Sequence, residues 1–312
     1  MRTICNTIAV AALFAASSLA SAFELEHAHG QLKLEHPPAR IVSYELAHMD
    51  TLDALGIEVA AVPQSVYQGQ LEKFNDAPVV GTLFEPDYLA LQAQKPDLII
   101  AGGRSAAAIP KLQAIAPTVS FTTDPNDFMS SVRHSVQALA AAWNKEQEAQ
   151  HWLEQLDKQV LTLQQQNTGK TGILLFTING RLIPHAPGDR FGYVYELTGL
   201  ESVLPARTEA QLQQTRPEPG SPEAAAAAKR NAAELTAIAQ AEPDWIIMLD
   251  RGAINGGEKT AAQTLHNHPE LGQTQAVRHG QVYYADPNSW YIVTGGVQNL
   301  TTITAALLEQ MQ

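Results

Sequence analysis

Two rhythms of apolar residues alternate along most of this chain. Short unbroken apolar runs, RIVSY (40–44), VAAV (59–62), DLIIA (97–101) and TVSF (118–121), are separated by longer stretches with helical spacing. The rhythm returns in GILLFTI (172–178), DWIIML (244–249) and QVYYAD (281–286). Continuous apolar strands flanked by helices predict parallel sheets covered on both faces. Ligands on such sheets bind beyond the C-terminal ends of the strands.

The pattern also repeats. Residues 88–104 read YLALQAQKPDLIIAGGR and residues 235–251 read LTAIAQAEPDWIIMLDR, an offset of 147 residues. Each has an amphipathic helical stretch, Pro-Asp, an apolar run and a terminal Arg. LDALGIE (52–58) and YELTGLE (195–201) rhyme as helices ending at Gly. The expectation is α/β, with two similar Rossmann-like lobes. Between them lies a helical tract. Asp124-Pro125 reads as a helix start, with Asp124 as N-cap and Pro at the first position. Phe128, Val132, Val136, Leu139 and Trp143 keep helical spacing, and Asn144 interrupts. Lys145 to Gln166 forms a second helix, with Trp152, Leu153, Leu156, Val160 and Leu163 on one side, roughly 33 Å long at 1.5 Å per residue. A single stiff helix joining two lobes limits hinge opening. The boundaries drawn are 1–22 for a signal peptide, 23–143 for an N-terminal lobe, 144–168 for the connecting helix and 169–312 for a C-terminal lobe.

Composition narrows the function. Two domains suit 312 residues, at roughly 100–200 residues per domain. Met1-Arg2, the apolar stretch Ile8–Leu19 and Ala20-Ser21-Ala22 make a signal peptide, with cleavage expected between Ala22 and Phe23. The apolar run, about twelve residues, falls short of the roughly twenty a membrane span needs. Cys5 lies upstream of the cleavage point, so the mature chain carries neither a lipid-anchoring cysteine nor a disulfide. The net charge of −12, one unit more negative once Arg2 is removed, and the lack of a basic stripe argue against nucleic acid. There is no G-x-S-x-G, H-E-x-x-H or cysteine nucleophile, so no enzyme is expected and no intrinsic cofactor. Gly102-Gly103 lacks nucleotide-loop spacing; a tight turn or backbone approach to a ligand explains it and Gly295-Gly296. His27/His29 and His266/His268 form H-x-H pairs, short of the three or four convergent ligands of zinc sites. TRPEPGSPE (215–223) reads as a loop and AAAAAKRNAAEL as a scaffold helix.

HAHGQLKLEHPPARIVSY (27–44), GTLFEPDYLALQAQKPDLIIAGGR (81–104) and HPELGQTQAVRHGQVYYADPNSWYIVTGG (268–296) appear in this order. Together with the repeat they resemble the periplasmic substrate-binding proteins of ferric-siderophore and cobalamin ABC importers. GDRFGYVYELTGL (188–200), LDRG (249–252) and SWYIVTGG (289–296) are most similar to the ferric-catecholate binders. The resemblance implies a class III periplasmic binding protein: a monomer that holds a ferric siderophore between its lobes and delivers it to an inner-membrane ABC permease. It implies that Arg104, Arg190 and Arg251 contact a catecholate; guanidinium is planar, always charged and weakly hydrated. It places Tyr291 at the position of an iron-coordinating tyrosine, or as an aromatic wall. Glu85 and Glu201, one per lobe, are the implied docking points for the permease. Some members pair that tyrosine with a His roughly twenty residues before the second-lobe Arg. No His occurs here between His185 and His266, and Lys229 or Arg230 falls near the expected place. Lys229 would then meet ligand charge. Tyr44, His48 and His185 are further candidates for the cleft. Haem or a corrinoid, and a free zinc or manganese ion, stand as alternative ligands.

Overall fold

The computed structural model describes residues 23–312, so the expected signal segment, residues 1–22, lies outside the described residues. The chain opens with an antiparallel hairpin of β1 (Phe23–His27) and β2 (Gly30–Leu34). Phe23 is buried there, with its ring edge-on to Trp143 at 4.7 Å. Five parallel strands follow: β3 (Ile41–Ser43), β4 (Val59–Gln64), β5 (Val79–Thr82), β6 (Leu98–Ala101) and β7 (Thr118–Ser120). Their order is β5-β4-β3-β6-β7. The second sheet contains β8 (Thr171–Ile178), β9 (Arg181–His185), β10 (Glu201–Ser202), β11 (Trp245–Asp250) and β12 (Val282–Ala285). Its order is β10-β8-β11-β12, all parallel, with β9 antiparallel to β8. In each sheet the chain crosses from one side of its first strand to the other, between β3 and β6 and between β8 and β11. These switch points open a crevice at the strands' C-terminal ends.

The repeated Pro-Asp has the same job in both halves. Asp97 accepts the backbone N–H groups of Ala39 and Arg40, each at 2.8 Å. Asp244 accepts the N–H of Thr171 at 2.7 Å and its hydroxyl at 3.0 Å. Each carboxylate thus fixes the start of a neighbouring strand, β3 or β8. The helices that precede these motifs both end on a left-handed residue, Lys95 at φ 49° and Glu242 at φ 46°.

The helix Phe128–Trp143 ends at Asn144, which is left-handed at φ 55°. The helix Glu146–Gln166 follows, burying Ala149, Leu153, Leu156, Val160 and Leu163 along one stripe. Arg133 and Asp157 tie the two helices by paired hydrogen bonds at 2.7 and 3.0 Å. The C-terminal helix Val297–Gln310 returns to pack on Glu146–Gln166 and on the helix Leu46–Ala54. One apolar core therefore runs from Phe23, Ile41 and Leu98 through Leu139, Leu156 and Leu163 to Leu174, Leu249 and Leu307. Each fully buried Leu in it contributes about 1.5–3 kcal/mol. The core binds both sheets to the same helical layer.

One predicted start is corrected. Asp124 does not cap the helix. Its carboxylate accepts the N–H of Asn126 in a local turn, and the helix begins at Phe128. The cap comes from the other half of the molecule. Glu196, on the helix Tyr193–Thr198, accepts the N–H groups of Phe128 at 3.1 Å and Met129 at 3.3 Å. A mirror arrangement exists across the molecule. Asp50, on the helix Leu46–Ala54, accepts the N–H groups of Gln298 at 2.8 Å and Asn299 at 3.0 Å. Each half thus satisfies orphan donors at the start of a helix carried by the other.

Candidate functional site

The two strand-end arginines of the repeat sit on matching turns. Arg104 follows β6 on the turn Gly103–Ala108, and Arg251 follows β11 on the turn Arg251–Gly256. The second turn is pinned by Asp250, which accepts the N–H of Gly252 at 3.1 Å and of Ala261 at 2.8 Å. Tyr291 ends the short helix Pro287–Tyr291, which Asp286 caps by accepting the N–H of Ser289. Arg190 lies in the loop after β9. These four residues meet. The guanidinium carbons of Arg104, Arg190 and Arg251 stand 5.6, 5.4 and 5.4 Å from the centre of the Tyr291 ring. Phe191 stacks on that ring at 5.3 Å and 23°.

A cleft of about 720 Å³ opens over this cluster, with both halves contributing walls. Arg190, Phe191 and Tyr291 line one side; Phe84, Phe121 and Phe128 line the other. The space suits a small-molecule ligand, and an apolar lining with a few placed polar groups is what such sites use.

The three arginines differ in how far the protein has used them. The Arg104 side chain is 9 % exposed. It donates to the carbonyl of Tyr291 at 2.6 Å and lies 3.8 Å from the carboxylate of Glu45. Glu45 follows the C-terminal end of β3, across the switch point from Arg104. Burial pushes the Glu45 carboxyl up, against the pull of Arg104, the Ala47 and Gly103 N–H groups and Arg190. Burial pushes the Arg104 guanidinium down, and Glu45 draws it back. Gly102 makes room for this pair: a Cβ there would fall 2.0 Å from Oε2 of Glu45. Arg190 and Arg251 are exposed, and among the described residues no carboxylate lies within ion-pair distance of either.

Two candidates leave the site. Tyr44 is wholly buried, and its hydroxyl donates to the carbonyl of Val80 at 2.8 Å. It turns away from the cleft because strand residues alternate faces. Lys229 is exposed on the helix Pro222–Ala241 and does not line the cleft. His48 does line it. Its ring lies 4.6 Å from Phe121, and Nε2 has no hydrogen-bond partner. Burial lowers its pKa to about 4, so the imidazole is neutral. His185 sits behind the aromatic cluster, with Nδ1 3.1 Å from Asp189 and its ring 5.0 Å from Phe191. The H-x-H pairs have local roles. Nδ1 of His266 lies 2.8 Å from the carbonyl of Ala262, and Nδ1 of His268 accepts the N–H of Leu271 at 3.1 Å. Glu85 and Glu201 are exposed, one in each half. Glu45 and Phe191 were not singled out from the sequence. Glu45's signal was its place after a strand predicted to end at the ligand-binding edge.

Comparison with known proteins gives a consistent picture. A family model described as periplasmic binding protein matches residues 41–289. The petrobactin-binding protein YclQ of Bacillus subtilis is 26% identical over 275 residues, 86% of this chain and 81% of its own. The ferric-anguibactin-binding protein FatB of Vibrio anguillarum is 26% identical over 300 residues, covering 92% and 87%. The crystal structure of the periplasmic catecholate-siderophore binding protein VctP from Vibrio cholerae superposes with a TM-score of 0.76 at 26% identity. That match covers 93% of this chain and 99% of VctP.

Proposed function

Since this chain belongs to the periplasmic binding protein family, we propose that it captures a ferric siderophore of the catecholate type in its cleft and delivers it to an inner-membrane ABC importer. The observation that carries this is the set of three guanidiniums around one phenol at the mouth of both switch points. A ferric catecholate is an anion with flat aromatic faces. Guanidiniums meet its charge and stack on its rings, and the phenylalanine wall covers the remainder. Tyr291 offers a hard oxygen. Against Fe³⁺ a phenol loses its proton readily, because the ion's charge favours the anionic ligand. A chelator that leaves an iron position open is completed by this oxygen, and one that saturates the metal is stacked by the ring. The names of YclQ, FatB and VctP support a ferric siderophore as the ligand class. The protein then acts in the periplasm by binding alone, without chemical turnover. Glu85 and Glu201 are the docking points we assign to the permease.

Trp290 lies beside this site and is 1% exposed. Its fluorescence should be quenched as ferric bis-catecholate or tris-catecholate chelates fill the cleft, with Kd of about 1 µM or below. Arg190→Ala and Arg251→Ala should each raise Kd by about tenfold, the loss of one charge-assisted contact. Absence of quenching by either chelate, with a Soret band on adding haem or affinity for bare zinc, would overturn the assignment.

A further inference from the structure

Three guanidiniums surround Tyr291, with Arg104 and Arg190 lining the cleft and Arg251 approaching the ring from outside that lining, but one is already spoken for. Glu45 sits 3.8 Å from Arg104, while Arg190 and Arg251 have no carboxylate within ion-pair distance among the described residues. Glu45 is itself a cleft residue. Burial raises the Glu45 carboxyl, and Arg104, the Ala47 and Gly103 N–H groups and Arg190 draw it back toward the ionised form. Those four partners are donors or cations, so the geometry around the carboxylate is built for a negative charge beside Arg104. The missing Cβ at Gly102 is what lets the carboxylate lie there.

We infer that Glu45 sets the charge of the ligand this cleft accepts, by cancelling Arg104 and leaving two free guanidiniums to face the incoming anion. The cleft then favours a ferric chelate of one or two negative charges over a trianionic one. Charge complementarity discriminates between ligands in two ways: the favoured anion meets its cations, and the over-charged one brings a negative charge that no free guanidinium meets. This rests on the ferric-siderophore reading and sharpens it. Tyr291 fits the same sum. A monoanionic bis-catecholate complex that takes up the phenolate becomes dianionic, which is the charge that Arg190 and Arg251 offer.

The test separates charge from coordination. Hexadentate chelators built from catecholate and hydroxamate arms all saturate the iron, and each catecholate in place of a hydroxamate adds one negative charge. Binding of the four ferric complexes, from neutral to trianionic, gives an affinity profile with a maximum. In the natural protein the maximum should lie at the mono- or dianionic complex. Glu45→Gln should move it one charge higher and improve the trianionic complex by about tenfold relative to the monoanionic one. Gly102→Ala, which expels the carboxylate without removing it, should move the profile the same way, and Glu45→Asp should leave it in place. A profile that is unchanged in Glu45→Gln, or a natural protein that binds the trianionic complex best, overturns the inference while the siderophore reading stands. Failure of all four complexes to bind the natural protein removes that reading and the inference with it.

Discussion

At the scale of single residues, the arginines divide into a buried one paired with Glu45 and two exposed ones with no ion-pair partner among the described residues, which we propose meet the ligand. Arg104→Ala leaves Glu45 and the Tyr291 carbonyl without their partner, and stability should fall by about 3 kcal/mol, as when one half of a buried pair is removed. Arg251→Ala should change stability by no more than about 0.5 kcal/mol. Both should weaken binding, so urea unfolding beside a binding titration separates the two roles; equal stability losses would refute the division. Arg104 and Arg251 were legible because each ends an apolar run at a repeated distance from Pro-Asp, whereas Arg190 came from the family resemblance alone. Glu45 was not, because its meaning depends on β3 and β6 being neighbours, and nothing local encodes a pairing between residues so far apart. Tyr44 misled for a related reason. Its position after a strand was right, but the strand's pleat sends it to the buried face, and a run that is apolar on both faces hides that alternation. Lys229 was carried over from a family position. On this chain that stretch is an exposed helix.

Single elements show where local signals sufficed. The predicted strands lie within a residue or two of β3, β4, β6, β7, β8, β11 and β12, because buried parallel strands leave uninterrupted apolar runs. β9 was passed over although Asn179-Gly180 before it is a strong hairpin signal; both residues have positive φ, 51° and 71°. The start of Phe128–Trp143 could not be read locally, since its cap, Glu196, arrives from a distant helix. The matching cap, Asp50, carries a pH prediction. Burial raises its pKa from 3.8 to about 7. The folded state therefore holds this proton more tightly than the unfolded chain does. Its contribution to stability is complete below about pH 4 and is lost as the pH rises to about 7. Asp50→Asn keeps an acceptor for the helix and removes the titration. The stability gap between variant and natural protein should shift in the variant's favour between about pH 5 and pH 8, by up to about 2.5 kcal/mol. Urea unfolding at the two pH values measures it, and a constant gap would refute the assignment.

For the whole molecule, the internal repeat was the most informative sequence feature. It announced two α/β lobes before any strand was paired. It did not announce how strongly the lobes are bound together, by one continuous core and by two carboxylates that each cap a helix belonging to the opposite half. Those crossed caps have a kinetic consequence. Where the halves stay joined during loading, no fraction of the empty population is unfit to load, and apparent affinity equals intrinsic affinity. Loading then becomes a single collision. In stopped-flow mixing the observed rate should climb in proportion to chelate concentration without levelling off, and a plateau would reveal a gate and refute this consequence.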